Sequence, residues 1–200
     1  MKLPDEIQQF VDLFSALPGI GPRQAVRLAF YFIYKGPQYQ ELMSTHLQSL
    51  KNIKFCRRCF FVHANTGELC DICRNQERDV RSIAILEKET DVISLERSQA
   101  FHGRYMVIGS SKRAGALDDF QKGRLSSLKT QIKELQGGMA DEIIIAVNPT
   151  TAGDITVSFV AEEMRPYAHH ITKLGRGIPT GGEIEFADAM TLKEALTRRK

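Results

Sequence analysis

The sequence contains no tryptophan, only four cysteines among 200 residues, and no long apolar run. A transmembrane helix needs roughly 18 or more apolar residues in succession, so the composition argues against a membrane protein. The amino terminus, which begins Met-Lys-Leu-Pro-Asp-Glu, also lacks the apolar core of a secretory signal peptide. We therefore expect a cytoplasmic protein whose cysteines stay reduced and act as metal ligands or nucleophiles.

The net charge is also low. Lys and Arg number 27 against 24 Asp and Glu, and a charge of +3 does not by itself indicate a nucleic-acid-binding protein. A charged fraction of 26% beside 42% hydrophobic residues excludes a wholly disordered chain and suits one or two domains with a core. Position is more informative than the totals, because all four cysteines fall between residues 56 and 73.

The first 35 residues predict two helices joined by a glycine-containing turn. Apolar residues recur at helical spacing over residues 7–17, and Pro22 suits the first position of a second helix. Gly19 and Gly21 permit a sharp turn between them and leave amide N–H groups bare at the start of that helix, where an anion can bind. The second helix is expected to bury Ala25, Leu28, Ala29, Phe32 and Ile33.

Arg23 and Arg27 lie one turn apart on the second helix, so both side chains can reach the same phosphate track. With the string Leu-Pro-Gly-Ile-Gly before them, they resemble a helix-hairpin-helix motif, a module that grips DNA phosphates without reading bases. The alternative is an ordinary glycine-capped turn with two solvated arginines. The DNA interpretation predicts binding that is indifferent to sequence and weakens steeply with salt.

The cysteines form two Cys-x2-Cys pairs separated by ten residues, a spacing that completes the tetrahedral all-sulfur shell preferred by structural Zn²⁺. Redox-active pairs, disulfides or an iron–sulfur cluster are less favoured by this spacing. His63, in the intervening segment, is expected at the surface and not as a ligand, and Arg57 and Arg58 are expected to offset the anionic metal–thiolate centre. The expected ligands of one structural zinc ion are Cys56, Cys59, Cys70 and Cys73.

Residues 79–174 alternate apolar strands with helical segments, which predicts a mainly parallel sheet with functional loops at the strand ends. A helix is also expected at the carboxyl terminus, started by a capping box at Thr191 and Glu194. Strands are expected near residues 82–86, 105–109, 143–147 and 171–174, with helices after Asp91, around residues 125–135 and through residues 157–164.

Acidic residues lie at two of the strand ends: Glu87, with Asp91 four residues on, and Asp154 in the loop after the third strand. A strand-end glutamate followed by acids after a later strand resembles the Toprim fold, which holds Mg²⁺. Catalytic versions need an Asp-x-Asp pair, because Mg²⁺ requires several carboxylates. This chain has Asn148-Pro149-Thr150 there, so we expect no phosphoryl-transfer activity. The acids are then either partner contacts or a turn acid and a helix cap.

These motifs, in this order and followed by Gly-Ile-Pro-Thr-Gly-Gly-Glu at residues 177–183, resemble the bacterial recombination mediator family RecR over nearly the whole chain. The resemblance implies a DNA-repair protein without catalysis. It also implies a homo-oligomer, from dimer to tetrameric ring, that encircles DNA and acts with RecO and RecF to help load RecA onto gapped single-stranded DNA. Family members often carry an acid where this chain has Ala152.

The resemblance assigns Gly19, Gly21, Arg23 and Arg27 to DNA, the four cysteines to zinc, and Glu87, Asp91 and Asp154 to partner binding. The expected fold is a multi-module α+β and α/β chain. Its parts are a helix-hairpin-helix region at 1–54, a four-cysteine zinc finger at 55–78, a Toprim-like α/β domain at 79–174 and a C-terminal segment with oligomer contacts at 175–200.

Two other functions remain open from the residues alone. One is a metal-dependent nuclease or primase of Toprim type, with a degenerate site built on Glu87, Asp91 and Asp154. The other is a pure protein-interaction scaffold, which would show no salt-dependent DNA binding.

Overall fold

The computed structural model describes residues 3–110, 116–135, 137–197 and 199. Residues 1 and 2 of the predicted helix-hairpin-helix region, residues 111–115 and 136 of the predicted Toprim-like domain, and residues 198 and 200 of the predicted C-terminal segment lie outside this part of the chain. The chain forms two compact units, Met1–Ile53 and Lys54–Lys200.

The first unit is helical. Helix α1 begins directly after Pro4, and helix α2 begins at Pro22, whose missing N–H costs nothing at the first helical position. Phe32 of α2 packs edge-on against Phe10 of α1, with ring centroids 5.7 Å apart. The helices are α1 (Asp5–Ser15), α2 (Pro22–Lys35) and α3 (Pro37–Ser49), followed by a 3-10 turn at Leu50–Asn52.

Two details of this unit differ from expectation. Helix α3 has no counterpart among the predicted elements, although Pro37 directly after Gly36 marks its start. Ile33 is exposed, not buried, and lies with Ile7 and Met43 along an apolar groove between the helices. Ala25 and Ala29 are buried as predicted, because their small side chains let α1 approach α2 closely.

The second unit begins with the cysteine module. A short antiparallel hairpin of β1 (Lys54–Phe55) and β2 (Val62–His63) carries the first cysteine pair in its turn, and helix α4 (Asp71–Arg74) carries the end of the second. Two hydrogen bonds to backbone carbonyls of the module join it to the α/β domain. Val107 N–H donates to the Cys59 carbonyl at 2.9 Å, and Gln131 Nε2 donates to the Arg58 carbonyl at 2.9 Å.

The α/β domain has a four-stranded sheet in which every strand pair is parallel, in the order β4-β3-β5-β6. This confirms the predicted fold class. Both faces of the sheet are covered, as parallel sheets require, so the strands read as apolar runs and not as alternating patterns. The elements are β3 (Asp79–Leu86), α5 (Glu89–Ser98), β4 (Gly103–Val107), α6 (Asp119–Leu135), β5 (Ala140–Ala146), α7 (Thr151–Met164) and β6 (Ala168–Lys173).

Alternate residues of the central strands enter two separate cores. Ile83 and Ile85 of β3 point to the layer formed by α6 and α7, while Ala84 and Leu86 point to Val92 of α5.

Because β3, β5 and β6 run parallel, their carboxyl ends meet along one edge of the sheet, where ligand sites form in such folds.

The chain ends in a 3-10 turn at Ile184–Phe186 and helix α8 (Ala189–Thr197). The predicted capping box at Thr191 is wrong. The side chain of Asp188 accepts hydrogen bonds from Thr191 N–H at 2.9 Å and from its hydroxyl at 2.7 Å, so Asp188 caps a helix that begins two residues before Thr191. None of the helices in the described ranges combines the length and apolar character that crossing a bilayer requires.

Candidate functional site

The four cysteines of the module converge on one point. Their sulfur atoms all lie within 4.8 Å of one another, and Cys59 Sγ is 3.5 Å from Cys70 Sγ. A tetrahedral Zn–S shell with bonds of about 2.3 Å sets neighbouring sulfurs about 3.8 Å apart, so the donor set fits such an ion. All four side chains are buried and none forms a disulfide. The cluster can therefore hold one metal ion and leaves no ligand position for substrate.

The basic residues around this cluster have different roles. Arg58 Nη1 donates to the Cys73 carbonyl at 3.0 Å, close to the thiolates whose charge it was expected to offset. Arg57 instead pairs with Glu68 on the exposed surface at 3.0 Å. Burial, followed by the charge of Arg58, lowers the pKa of Arg104, so a second guanidinium lies beside the first. A metal ion bound by four thiolates carries net negative charge, which compensates this pair of cations.

His63 is buried, so its expected position at the surface is wrong. Its Nδ1 accepts a hydrogen bond from Asn65 N–H at 3.2 Å, because the short β1–β2 hairpin turns the ring inward. It is not a member of the metal-ligating group. This hydrogen bond joins two residues that are two positions apart, and no motif in the surrounding sequence predicts it.

The glycine turn between α1 and α2 has the geometry expected of it. Gly19 adopts φ +77°, a left-handed conformation that favours glycine, and Gly21 caps α2 in an extended conformation without any side-chain cap. Among the described residues, no side chain caps the first-turn N–H groups of α2. Arg23 and Arg27 are both exposed on the first two turns beside them. This end of α2 presents positive charge and helix-dipole donors together.

A second feature lies at the carboxyl ends of the strands. A cavity of about 280 Å³ opens there, lined by Leu86, Ala146 and Lys173, the last residues of β3, β5 and β6. Asn148 and Pro149 form its wall on the β5 side. The lining is mostly apolar with a few polar groups, which is typical of a binding pocket.

Asp154 lies in the first turn of α7, not in the loop before it, because Thr150 already caps that helix. Its carboxylate forms a bidentate ion pair with Arg176. The hydrogen bonds from Arg176 lower the pKa of Asp154, and the nearby charge of Lys173 adds to this. A partner that recognises this acid must compete with Arg176 for it.

The two acids after β3 are held differently. Asp91 accepts a hydrogen bond from Lys88 N–H at 3.2 Å and so caps α5. Burial is the largest effect on Glu87 and raises its pKa, while the charge of Lys88 lowers it and that of Asp91 raises it. Within the described ranges, the cysteines are the sole group of three or more potential ligands gathered closely enough to share an ion, so Glu87, Asp91 and Asp154 do not form a metal site there.

The loop Asn148–Thr150 is locked to α7 by a glycine. Gly153 N–H donates to Thr150 Oγ1 at 3.0 Å, and a Cβ at this position would lie 2.0 Å from the Asn148 carbonyl oxygen. We expect Gly153→Ala to destabilise the α/β domain by at least about 2 kcal/mol, because the backbone of the loop must move. Urea unfolding followed by circular dichroism measures this change.

Gly123 provides a matched control for that substitution. It lies inside α6, and a Cβ there meets no atom within 4 Å, so Gly123→Ala removes one glycine from a helix without a clash. We expect it to be neutral or to stabilise the fold by up to about 1 kcal/mol. Equal unfolding midpoints for the two variants would contradict the role assigned to Gly153.

Comparison with known proteins relates both units to one family. A model described as "Toprim domain" matches residues 81–175, and one described as "RecR, C-terminal" matches residues 177–200. The chain is 37% identical over 199 residues to "Recombination protein RecR" of Frankia casuarinae, covering 97% of this chain and 96% of that protein. It is 35% identical over 195 residues to the protein of that name from Paenarthrobacter aurescens, with 97% and 96% covered. The corresponding protein of Dehalococcoides mccartyi is 36% identical over 196 residues, with 97% and 93% covered.

Proposed function

Because this chain belongs to the RecR family of recombination proteins, with a role in recombination and DNA repair, we propose that it acts there as a non-catalytic, DNA-binding mediator. The observation that carries the proposal is the exposed pair Arg23 and Arg27 beside the uncapped start of α2. Phosphate contacts of this kind give affinity without sequence preference. The four-cysteine cluster holds Zn²⁺ in a closed, structural site, one ion per chain.

The division into four modules is part of the same proposal. The helix-hairpin-helix region (1–54) binds DNA, and the zinc finger (55–78) stiffens the chain. The Toprim-like domain (79–174) receives partners, and the C-terminal segment (175–200) makes contacts between copies. Exposed apolar side chains in that last segment support an oligomeric role, namely Ile184, Phe186, Met190 and Leu196.

An Arg23→Ala/Arg27→Ala variant tests the DNA contact. Each lost phosphate contact reduces the number of released counterions by about one. The plot of log K against log salt should therefore become less steep, its negative slope shrinking in magnitude by about 2. We expect affinity for DNA at low salt to fall at least about tenfold. Fluorescence anisotropy of a labelled oligonucleotide at several salt concentrations measures both quantities.

The control removes the same charge elsewhere. Arg74 and Arg81 are exposed cations in surface ion pairs with Asp71 and Asp141, at 2.8 and 2.6 Å. An Arg74→Ala/Arg81→Ala variant should bind DNA almost as tightly as the parent. If the Arg23/Arg27 variant matches the parent at low salt, the assignment of the DNA contact is wrong.

The oligomer is proposed to be a ring, from dimer to tetramer, which would multiply the arginine pair around one DNA. RecO and RecF are the proposed partners in loading RecA onto gapped single-stranded DNA, with Glu87, Asp91 and Asp154 at the partner surface. Native mass spectrometry with and without DNA measures the number of chains in the oligomer.

Titration calorimetry measures the affinity of the parent and of Glu87→Gln for RecO. Equal affinities would contradict a role of Glu87 in the partner contact.

A further inference from the structure

A cluster of three phenylalanines surrounds one arginine on the second unit. The Arg124 guanidinium carbon lies 4.1 Å from the ring centre of Phe120, 4.7 Å from that of Phe60 and 5.9 Å from that of Phe55. We call these four residues the aromatic–arginine cluster. No part of it belongs to the DNA-contact helix or to the strand-end cavity.

The fold places the four side chains together from separate elements. Arg124 and Phe120 share one face of α6, four residues apart, and Phe55 comes from β1. Phe60 follows the first cysteine pair in a left-handed conformation, φ +61°, and its N–H donates to the Cys56 carbonyl at 2.9 Å. The cysteine module therefore directs two of the three rings, Phe55 and Phe60, toward the arginine.

Arg124 is only 7% exposed, yet its charge is poorly compensated. Its Nη1 donates to the Val107 carbonyl at 2.8 Å, and its Nε is buried without an acceptor among the described residues. Within those ranges no carboxylate lies within salt-bridge distance of it. Burial lowers the pKa of Arg124, and the charge of Glu89 offsets this only in part. Burying a charged group without a close counterion costs free energy, and such a group often marks a binding site.

Two of the three rings beside this charge are open to solvent. Phe55 is 61% exposed and Phe120 is 59% exposed, and together with Asp119 and Gly123 they border a shallow cavity of about 510 Å³. One face of Phe120 is covered by the guanidinium, so the exposed area includes its other face. A cation on one face withdraws electron density from the ring and favours an electron-rich planar group on the other.

We propose that the aromatic–arginine cluster binds an unpaired nucleobase of single-stranded DNA, stacked on the open face of Phe120 and against Phe55. Aromatic side chains bind bases of any sequence in this way, because every base has a π face. A paired base inside a duplex cannot reach such a platform, so the cluster discriminates single strands from duplex. The inference rests on the proposed DNA-binding function and adds a second contact with a different chemistry.

The chain contains no tryptophan, so Phe120→Trp introduces a single tryptophan at the platform, which can be excited apart from the five tyrosines. Titration of this full-length variant with oligothymidylate should quench its emission at the concentrations that saturate binding measured by anisotropy. A duplex of equal length should leave the emission unchanged. Stacked bases quench tryptophan, whereas phosphate contacts to the arginine pair of the first unit do not require any base near residue 120.

A loss-of-function pair completes the test. Stacking contributes about 1–3 kcal/mol per base, so Phe55→Ala/Phe120→Ala should weaken single-strand binding roughly 5- to 150-fold with an unchanged salt slope. Its duplex affinity should equal that of the parent. Phe159→Ala removes a half-exposed ring from α7, outside the cluster, and should change neither affinity.

The outcomes separate this inference from the proposed function. A parent protein that binds no DNA would overturn both. Unquenched emission in a variant that binds oligothymidylate, or parental single-strand affinity in Phe55→Ala/Phe120→Ala, would overturn the base-stacking site alone and leave the arginine contact standing.

Discussion

Replacement of Cys59 with serine will abolish metal binding and unfold the cysteine module. The module spans about 25 residues, and its buried apolar contacts are the cysteines themselves with Phe61, Leu69 and Ile72 packed around them. A unit this small has too little core to fold alone, so the metal supplies the folding free energy. Structural Zn²⁺ in small fingers contributes about 10–16 kcal/mol at neutral pH.

Three measurements check this expectation on the whole chain. Elemental analysis should give one zinc per chain in the parent and none in Cys59→Ser. The chain has only four cysteines, so a thiol reagent should react slowly with the parent and rapidly with all four thiols after a chelator is added. Because Phe60 follows Cys59 directly, metal loss should also move that ring away from Arg124. The quenching of Phe120→Trp by single strands should therefore disappear after chelation.

His63→Asn is the matched control, because His63 is the buried imidazole of the module but not a ligand. It should keep one zinc per chain, although losing a packed ring will lower the thermal stability of the module. Zinc far below one per chain in the parent, or full zinc in Cys59→Ser, would contradict the assignment of the four cysteines as ligands.

Local sequence signals predicted much of this fold. The glycine turn, Pro22 and the apolar periodicity place α1 and α2 correctly, and the cysteine spacing predicts a cluster that the structure brings within 4.8 Å. The apolar runs predict the parallel strands, because a sheet buried on both faces needs such runs. Each of these features depends on residues close together in the chain.

Some of the features that were missed depend on residues far apart in the chain. The ion pair of Asp154 with Arg176 joins positions 22 residues apart, and the contact of Arg124 with Phe55 joins β1 to α6. Nothing in the spacing of these residues signals that they meet. The inward position of His63 was missed for a different reason, since burial of one side of a two-residue strand leaves no periodic pattern.

Replacement of Arg78 with methionine will destabilise the α/β domain more than any surface substitution. Arg78 forms a bidentate pair with Glu96 of α5, and its Nη1 also donates to the Gly103 carbonyl at 3.2 Å. The Tyr105 hydroxyl donates to the same carboxylate at 2.6 Å. The side chains of Arg78 and Glu96 are only 15% and 29% exposed. Methionine fills the space but leaves Glu96 without its counterion, at a cost of about 3 kcal/mol.

Arg57→Met is the control, because Arg57 pairs with Glu68 at 3.0 Å on the exposed surface, where an ion pair contributes little. Urea unfolding at neutral pH should show a lower midpoint for Arg78→Met and no measurable change for Arg57→Met. Equal midpoints would mean that the buried pair is not a determinant of stability.

The ion pair between Arg78 and Glu96 also predicts how the stability difference between the parent and Arg78→Met depends on pH. Burial by itself raises the pKa of Glu96, but the hydrogen bonds from Arg78 and Tyr105 outweigh it and hold the pKa below its ordinary value. A carboxylate with a lowered folded pKa stabilises the protein fully above its unfolded pKa, about 4.3, and loses that contribution as the pH falls through the folded value. The gap between parent and Arg78→Met should therefore be constant near neutral pH and narrow below about pH 4.3. If the stability difference stays constant into that acid range, packing of the Arg78 side chain holds α5 to the sheet, and the attraction between Arg78 and Glu96 does not.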